Sequence, residues 1–188
     1  MALLPYVQDD TDSKAAQLLF EHCRSLLGRV SNAIRVAAHS PKVAQPLVGF
    51  MVSALRTEVS GILEMRVKAL VILKTSMLNG CAYCIGHNSA LGRSLGFEED
   101  EIDAISKDYS SSDYFSPAEK AAIHWAECLT ERTYRKHPEA MAQLKLYFSD
   151  AQIVEITMVS GFFNFWNRFT DALRSEERRV GKECRSRW

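Results

Sequence analysis

Apolar positions along this chain recur every three or four residues rather than at every second residue. This spacing is typical of amphipathic helices, whose side chains return to one face with a period of about 3.6 residues. The pattern predicts helices over residues 32–39, 41–56, 64–78, 81–95, 98–106 and 149–173, with two more that begin near residues 9 and 116. Segments with the alternation of a strand are nearly absent, so we predict an all-α fold.

Three of these helices have a face that we expect to be buried. In the first helix, the predicted core positions are Ala15, Leu18, Leu19, His22 and Leu26. In the helix over 64–78, the predicted buried stripe consists of Val67, Leu70, Val71, Lys74 and Leu78. The last helix has an aromatic surface made of Phe162, Phe163, Phe165, Trp166 and Phe169. Because this surface is broader than one stripe, it predicts burial against a second copy of the chain as well as in the core.

The balance of charge argues against some classes of function. The chain has 188 residues, of which 47% are hydrophobic, and its 23 basic residues equal its 23 acidic residues. This balance gives no electrostatic reason to expect a nucleic acid or an anionic membrane as a partner. No apolar run is long enough to span a membrane, and the N-terminus lacks the pattern of a signal peptide. We therefore expect a cytoplasmic protein.

Residues 174–188 need a separate interpretation. Reverse-translated, this segment matches a common short-read sequencing adapter read in one frame. We therefore expect it to be non-native and to carry no functional information. The natural part is then predicted to be a single domain over residues 1–173.

Cys81 and Cys84 are the strongest candidates for chemistry. Two thiols three positions apart can form a disulfide with little rearrangement of the chain. The preceding Asn79-Gly80 favours a helix start, where free N–H groups and the helix dipole stabilise a thiolate. In a reducing compartment, this spacing is typical of a redox pair or a metal site. We predict a thiol–disulfide redox pair, with two buried core cysteines as the alternative.

Two side chains beside the pair are candidates to assist it. His87 follows Cys84 by three residues, so it lies on the same helical face and could act as a base. Tyr83 lies between the thiols and could donate a hydrogen bond to a thiolate or a peroxide oxygen. For both residues, a purely structural role is the alternative.

A zinc site is the rival interpretation of the cysteine pair. His124 and Cys128 are four residues apart on one predicted helix. Together with Cys81 and Cys84 they would make a set of four ligands of the kind that zinc prefers. Their apolar neighbours favour core packing instead, so we predict no metal.

The region around the cysteines resembles a known family. Residues 63–74, residues 78–80 and the cysteine pair, followed by a helix that ends at Gly96, look like the core of the alkylhydroperoxidase AhpD-like, or carboxymuconolactone decarboxylase-like, family. Residues 116–130 and 153–169 are similar to the next long helix and the closing helix of that family. The resemblance covers roughly residues 58–173 and is greatest to the branch labelled peroxidase-related.

The resemblance implies an AhpD-like helical domain that acts as a thiol-dependent peroxidase or a related thiol–disulfide oxidoreductase. In the implied mechanism, Cys84 attacks a small-molecule hydroperoxide and Cys81 then closes a disulfide, which an external dithiol reduces. His87 would take the thiol proton. No organic cofactor is required, because the sulfurs carry the electrons. The resemblance also implies a homo-oligomer, either a trimer or a hexamer.

The chain departs from the family at the proton relay. Members with peroxidase activity use a glutamate twelve residues before the first cysteine and a histidine four residues after the second. Here these positions hold Ala69 and Asn88. The local carboxylates that could complete a relay are Glu64 and Glu58, and both lie upstream of the family position.

Two other functions stay open at this point. A lyase of the carboxymuconolactone decarboxylase type needs acid–base groups and an oxyanion-stabilising site and no dithiol, so the intact cysteine pair argues against it. The missing relay glutamate keeps it as an alternative. A non-catalytic thiol redox switch would use the same pair and offer the aromatic surface to a partner. Turnover of an organic hydroperoxide with a dithiol reductant separates these functions.

Overall fold

The computed structural model describes residues 2–176, without the side chains of residues 58 and 60. Its described residues form ten helices and no strand, which confirms the predicted all-α class. The helices are α1 (Lys14–Leu27), α2 (Asn32–Ala37), α3 (Pro41–Leu55), α4 (Thr57–Ser60), α5 (Met65–Leu78), α6 (Ala82–Ser94), α7 (Glu99–Lys107), α8 (Pro117–Glu131), α9 (Pro138–Tyr147) and α10 (Asp150–Ala172). None of these described helices is long and apolar enough to cross a membrane.

The sequence pattern missed two of these helices. The α4 helix is a single turn between Arg56 and Gly61, too short to show a period. The α9 helix buries only Ala140 and Leu144, so its apolar signal is weak. Its start is nevertheless encoded by Pro138 at the first helical position, where the missing N–H has no intrahelical partner to lose.

The chain divides into two compact units. One consists of the residues up to Val48 together with those from Phe169 onward, and the other runs from Gly49 to Arg168. The prediction of one domain over residues 1–173 is not tested by this division. Most of the segment predicted to be non-native, residues 177–188, lies outside the described residues.

In the first unit, the buried face of α1 only partly matches the predicted one: Leu19 is buried as predicted, whereas Ala15, His22 and Leu26 are half-buried. Its buried residues are Ala16, Leu19, Phe20 and Cys23. The predicted core residue Leu18 has 57% of its surface exposed. Apolar residues lie on more than one side of α1, so their spacing alone did not determine which face packs.

Residues 175 and 176 are hydrogen-bonded within this unit. The Tyr6 hydroxyl donates to the Ser175 carbonyl over 2.9 Å, and the Ala33 amide donates to the Glu176 carboxylate over 2.7 Å.

In the second unit, α5 is the central helix, and α6, α7 and α8 pack against it. Every residue of α5 from Val67 to Ser76 is buried. Burial of the predicted stripe is therefore confirmed except at Leu78, which is 36% exposed at the helix end, but the burial is not limited to one stripe. A helix surrounded by neighbours has no solvent face, and this explains why polar residues of α5 are buried as well.

Buried charges on α5 are neutralised by carboxylates. Lys68 is fully buried, and its Nζ atom lies 2.6 Å from Oε1 of Glu155 in α10. Lys74 lies 3.1 Å from Glu127 in α8. Such pairing is the condition under which a lysine is tolerated in a core, because an unpaired buried ammonium is strongly unfavourable.

The aromatic surface predicted on α10 is mostly core. Phe162, Phe163 and Trp166 are buried, and Phe165 alone of the five predicted aromatic residues is exposed, at 48%. Phe165 belongs to a different set of exposed small or apolar residues, spaced three or four apart. This set, the α10 outer stripe, consists of Val154, Met158, Gly161 and Phe165.

Candidate functional site

Cys81 lies where one helix ends and the next begins. After α5, the Cys81 amide donates to the Ser76 carbonyl over 3.2 Å, and the Gly80 amide donates to the Met77 carbonyl over 3.0 Å. These two bonds make a Schellman motif, which requires a left-handed residue after the helix. Gly80 supplies it with a φ of 67°. The backbone of Cys81 is therefore held by the end of α5.

The same residue caps the start of α6. The Sγ atom of Cys81 accepts a hydrogen bond from the Cys84 amide over 3.3 Å. This places the Cys81 sulfur at the positive end of the α6 dipole, where a negative charge is stabilised. The prediction that the cysteine pair lies at a helix N-terminus is thus confirmed, whereas Asn79 and Gly80, which were predicted to start this helix, end α5 instead.

Cys81 and Cys84 are joined by a disulfide, with 5.3 Å between their Cα atoms. This separation is within the usual range for disulfides, so the backbone needs no displacement to close the bond. Each residue is only 3% exposed. A bond between two sulfurs at a helix N-terminus can be opened by an attacking thiolate, with the Cys81 sulfur as a stabilised leaving group.

His87 and Tyr83 lie on α6 beside the disulfide. His87 is half-buried, one turn after Cys84, as its position in the sequence requires. The ring of Tyr83 stacks on the His87 ring, with 5.8 Å between centroids and an angle of 16° between planes. Tyr83 is 37% exposed. The stack restricts the orientation of the imidazole relative to the helix.

The two family relay positions have structural roles here. Ala69 is fully buried in an apolar cluster that includes Leu70, Leu73, Phe97 and Ile123. Asn88 is buried, and its Nδ2 atom donates to the Cys84 carbonyl over 2.7 Å. Neither position supplies an ionisable group.

The predicted supporting carboxylate Glu64 lies away from the cysteines. It is the N-cap of α5 and is exposed. The segment that carries both cysteines, residues 79–84 and called the cysteine turn below, follows the C-terminus of the same helix. Fourteen residues of α5 separate the two ends, which corresponds to about 21 Å at roughly 1.5 Å per residue. Glu64 therefore lies at the opposite end of α5 from the cysteines, and the side chain of Glu58 lies outside the described residues.

A set of polar residues that the sequence analysis did not select holds the cysteine turn. Asn79 donates to Asn164 of α10 over 3.2 Å, and Asn164 donates to Thr130 of α8 over 3.0 Å. One turn earlier on α5, Ser76 accepts from Asn167 over 3.3 Å. The signal was present in the sequence, because Ser160, Asn164 and Asn167 form a polar stripe at helical spacing within an aromatic helix.

The alternative zinc ligands do not join the cysteine pair. Among the residues that the structure describes, no three His, Cys, Asp or Glu side chains are arranged to hold a metal ion. Cys128 is buried, and this burial raises the pKa of its thiol. His124 is half-buried and lines a cavity beside α8 and α9.

Comparison with known proteins places this geometry in context. The model of the carboxymuconolactone decarboxylase family matches residues 41–127, which include both cysteines. The uncharacterised protein YdfG of Bacillus subtilis is 27% identical over 107 residues, or 56% of this chain and 72% of YdfG.

Solved structures extend the comparison. One is an Agrobacterium tumefaciens protein of unknown function, classed as a candidate antioxidant defence protein AhpD. It is 30% identical, with 74% of this chain and 93% of that chain covered and a TM-score of 0.66. Another is the AhpD core of an uncharacterised peroxidase-related protein from Ralstonia eutropha. At 19% identity it shows the fold alone, with 93% of this chain and 90% of that chain covered and a TM-score of 0.75.

Because the family match runs through both cysteines and nearly all of the Agrobacterium protein is covered at 30% identity, this chain belongs to the AhpD-like, carboxymuconolactone decarboxylase family.

Proposed function

We propose that this protein is a thiol-dependent peroxidase that reduces small hydroperoxides through Cys81 and Cys84. The observation that carries the proposal is the disulfide between these residues at the start of α6. The name of the Agrobacterium protein, which refers to antioxidant defence and to AhpD, supports the same class of reaction. A cytoplasmic location, where dithiols keep such a pair reduced, is part of the proposal.

In the first step, the thiolate of Cys84 attacks the terminal oxygen of the hydroperoxide. The O–O bond breaks, the sulfur is oxidised to a sulfenic acid, and the leaving oxygen takes a proton to become an alcohol. His87 is the group that supplies this proton, because it lies one turn from Cys84 on the same face. Its stack with Tyr83 supports an orienting role for that tyrosine.

In the second step, the thiolate of Cys81 attacks the sulfenic sulfur of Cys84, the S–O bond breaks, and the disulfide forms. The hydroxide that leaves takes up the proton that the Cys81 thiol gave up on ionising, and departs as water. The Cys84 amide next to the Cys81 sulfur supports the thiolate in this role. An external dithiol then reduces the disulfide by two successive thiol exchanges and is itself oxidised to a disulfide. Two electrons pass from dithiol to peroxide without a bound organic cofactor.

Turnover is expected to be slow. Positioned acid–base groups contribute about 10²–10⁴-fold to a rate, and here Ala69 and Asn88 occupy the family relay positions. His87 is then the single local proton carrier of this proposal.

We also propose that the protein is a homo-oligomer, a trimer or a hexamer. The α10 outer stripe supports this, because Val154, Met158 and Phe165 are each about half exposed on one helical face. Apolar residues arranged along one exposed face are typical of a helix that packs against another subunit.

The proposal is tested by peroxide turnover with a dithiol reductant, using cumene hydroperoxide and dihydrolipoamide. Cys84→Ser should abolish peroxide consumption, whereas Cys81→Ser should consume about one peroxide per chain and stop at a sulfenic acid that dimedone traps. Cys128→Ser is the matched control, because this buried thiol lies outside the disulfide, and it should leave turnover intact. Equal turnover in all three variants would reject the proposed site.

A lyase is the second candidate, because Ala69 and Asn88 occupy the positions of the relay on which peroxidase members of the family depend. A lyase would not need the Cys84 thiol, so its activity on a lactone carboxylate would persist in Cys84→Ser. A redox switch would form the disulfide once with peroxide and show no catalytic cycle. The same set of variants therefore separates all three functions.

A further inference from the structure

A cavity of about 400 Å³ lies beside α8 and α9, apart from the disulfide. Tyr109 and Tyr147 contribute ring surface to it, and Ala121 is its buried floor. Lys120 and His124 line one side from successive turns of α8. Its volume is at the lower end of the range of roughly 300–1,000 Å³ in which proteins bind small molecules. Thr130 of α8, which accepts a hydrogen bond from Asn164 beside the cysteines, lies six residues after His124, or about 9 Å along the axis of α8.

The polar groups of this cavity have the character of an anion site. Lys120 and His124 are half-buried, and within residues 2–176 neither forms an ion pair or a hydrogen bond with a described side chain. No aspartate or glutamate lines the cavity in the part of the chain that is described. A cationic ammonium and an imidazole one turn apart can bind two oxygens of one carboxylate.

Neighbouring carboxylates are already engaged. Glu127 accepts a hydrogen bond from the Tyr109 hydroxyl and pairs with Lys74 over 3.1 Å. Glu139 accepts a hydrogen bond from His137 over 2.8 Å. Since the Tyr109 hydroxyl is held by Glu127, this residue offers the cavity its ring and not its hydroxyl. The two tyrosines among the lining residues therefore suit the cavity to an aromatic ring.

We propose that this cavity binds a small aromatic carboxylate. Its carboxylate lies between Lys120 and His124, and its ring lies against Tyr109 and Tyr147. The proposal goes beyond the peroxidase function and does not depend on it, because no lining residue belongs to α6 or to the cysteine turn.

The test is calorimetric titration of the full chain with sodium benzoate, supported by saturation-transfer NMR. Benzoate should bind at millimolar or lower concentration, and more tightly than benzyl alcohol, which lacks the charge, or acetate, which lacks the ring. Lys120→Met keeps the length of the side chain and removes its charge, so it should weaken binding about tenfold, the typical effect of losing a charge-assisted contact. Lys145→Met is the matched control, because Lys145 is exposed on α9 and outside the cavity, and it should bind as the parent chain does.

Two further variants make the result decisive. Ala121→Leu fills the floor without changing charge and should reduce binding, provided that circular dichroism shows an intact helical fold. Cys84→Ser should bind benzoate unchanged, which separates this site from the peroxidase proposal. Absence of benzoate binding, equal affinity for acetate, or equal loss in the Lys120 and Lys145 variants would overturn the proposal.

Discussion

The side chain of Asn88 donates a hydrogen bond to the backbone carbonyl of Cys84 over 2.7 Å. The side-chain amide of Asn88 therefore binds the backbone of α6, the helix that carries the disulfide. Peroxidase members of the family have a relay histidine at this position. Its partner position, Ala69, faces an apolar cluster. Both relay positions therefore hold side chains that pack or hydrogen-bond locally and have no ionisable group.

The apolar surroundings of Ala69 lead to a prediction about stability. Ala69→Glu should lower the free energy of unfolding by several kcal/mol, since an unpaired carboxylate would be buried among apolar side chains. Urea denaturation followed by circular dichroism measures this change. Ala151→Glu, at an exposed position in the first turn of α10, is the control and should be nearly neutral. Equal midpoints for the two variants would contradict the placement of Ala69.

A second prediction concerns which thiols respond to peroxide. Mild oxidation of the reduced protein should remove two hydrogens from the peptide that contains Cys81 and Cys84, and dithiothreitol should restore them. Cys23 and Cys128 are internal controls, because both are free and buried. Burial raises the pKa of Cys23 to about 11, so little thiolate exists there at neutral pH. Mass spectrometry that finds Cys23 oxidised before the pair would reverse the expected order.

Acid sensitivity is predicted from Glu127. Burial alone would raise the pKa of this carboxyl, but the Tyr109 hydroxyl and the Lys74 ammonium together hold it below its usual value of 4.5. A lowered folded-state pKa contributes stability above the unfolded value, and this contribution is lost as the pH falls through the folded value. The urea midpoint should therefore drop between neutral pH and about pH 3.5.

Two variants on α8 test that assignment. Glu127→Gln should be less stable at neutral pH, because Lys74 is left without its anion, and should lose less stability on acidification than the parent chain. Glu131→Gln, at an exposed position in the same helix, should keep the parent's pH dependence. If both variants show the parent's acid response, Glu127 is not the group that titrates.

The last prediction concerns assembly. Light scattering at micromolar concentration should give a mass three or six times that of the chain under the proposed oligomer. Phe165→Lys should shift the protein toward the monomer, because it places a charge in the α10 outer stripe. Leu146→Lys is the matched control, since Leu146 is 69% exposed on α9 and outside the stripe. A monomeric parent chain would exclude the proposed interface.

The features that could be predicted from the sequence depend on neighbours along the chain. The helix predicted to begin near residue 116 starts with a reciprocal capping box between Ser116 and Glu119. Ser149 and Gln152 exchange the same pair of hydrogen bonds before α10. Cys81 caps α6 because the preceding glycine ends α5. Each of these arrangements is decided within a few residues, so the sequence contains its full cause.

Other features depend on residues far apart in sequence. Leu18 is exposed although it has the right spacing for a core position, because the packing partners of α1 selected an adjacent face. Glu64 lies at the N-terminus of α5 and the cysteines follow its C-terminus, so the full length of that helix separates them. Asn79 and Asn164 are 85 residues apart, and periodicity alone cannot pair them.

The double role of Cys81 has a consequence for the speed of a redox cycle. The Schellman bonds of α5 use backbone atoms, so they persist whether the sulfur is oxidised or reduced. Opening the bond to Cys84 then requires rotation of two side chains and no rearrangement of the main chain. In the proposed peroxidase cycle, we therefore expect neither thiol exchange to wait for a main-chain movement, so that the hydroperoxide and the dithiol meet the same backbone at the start of α6.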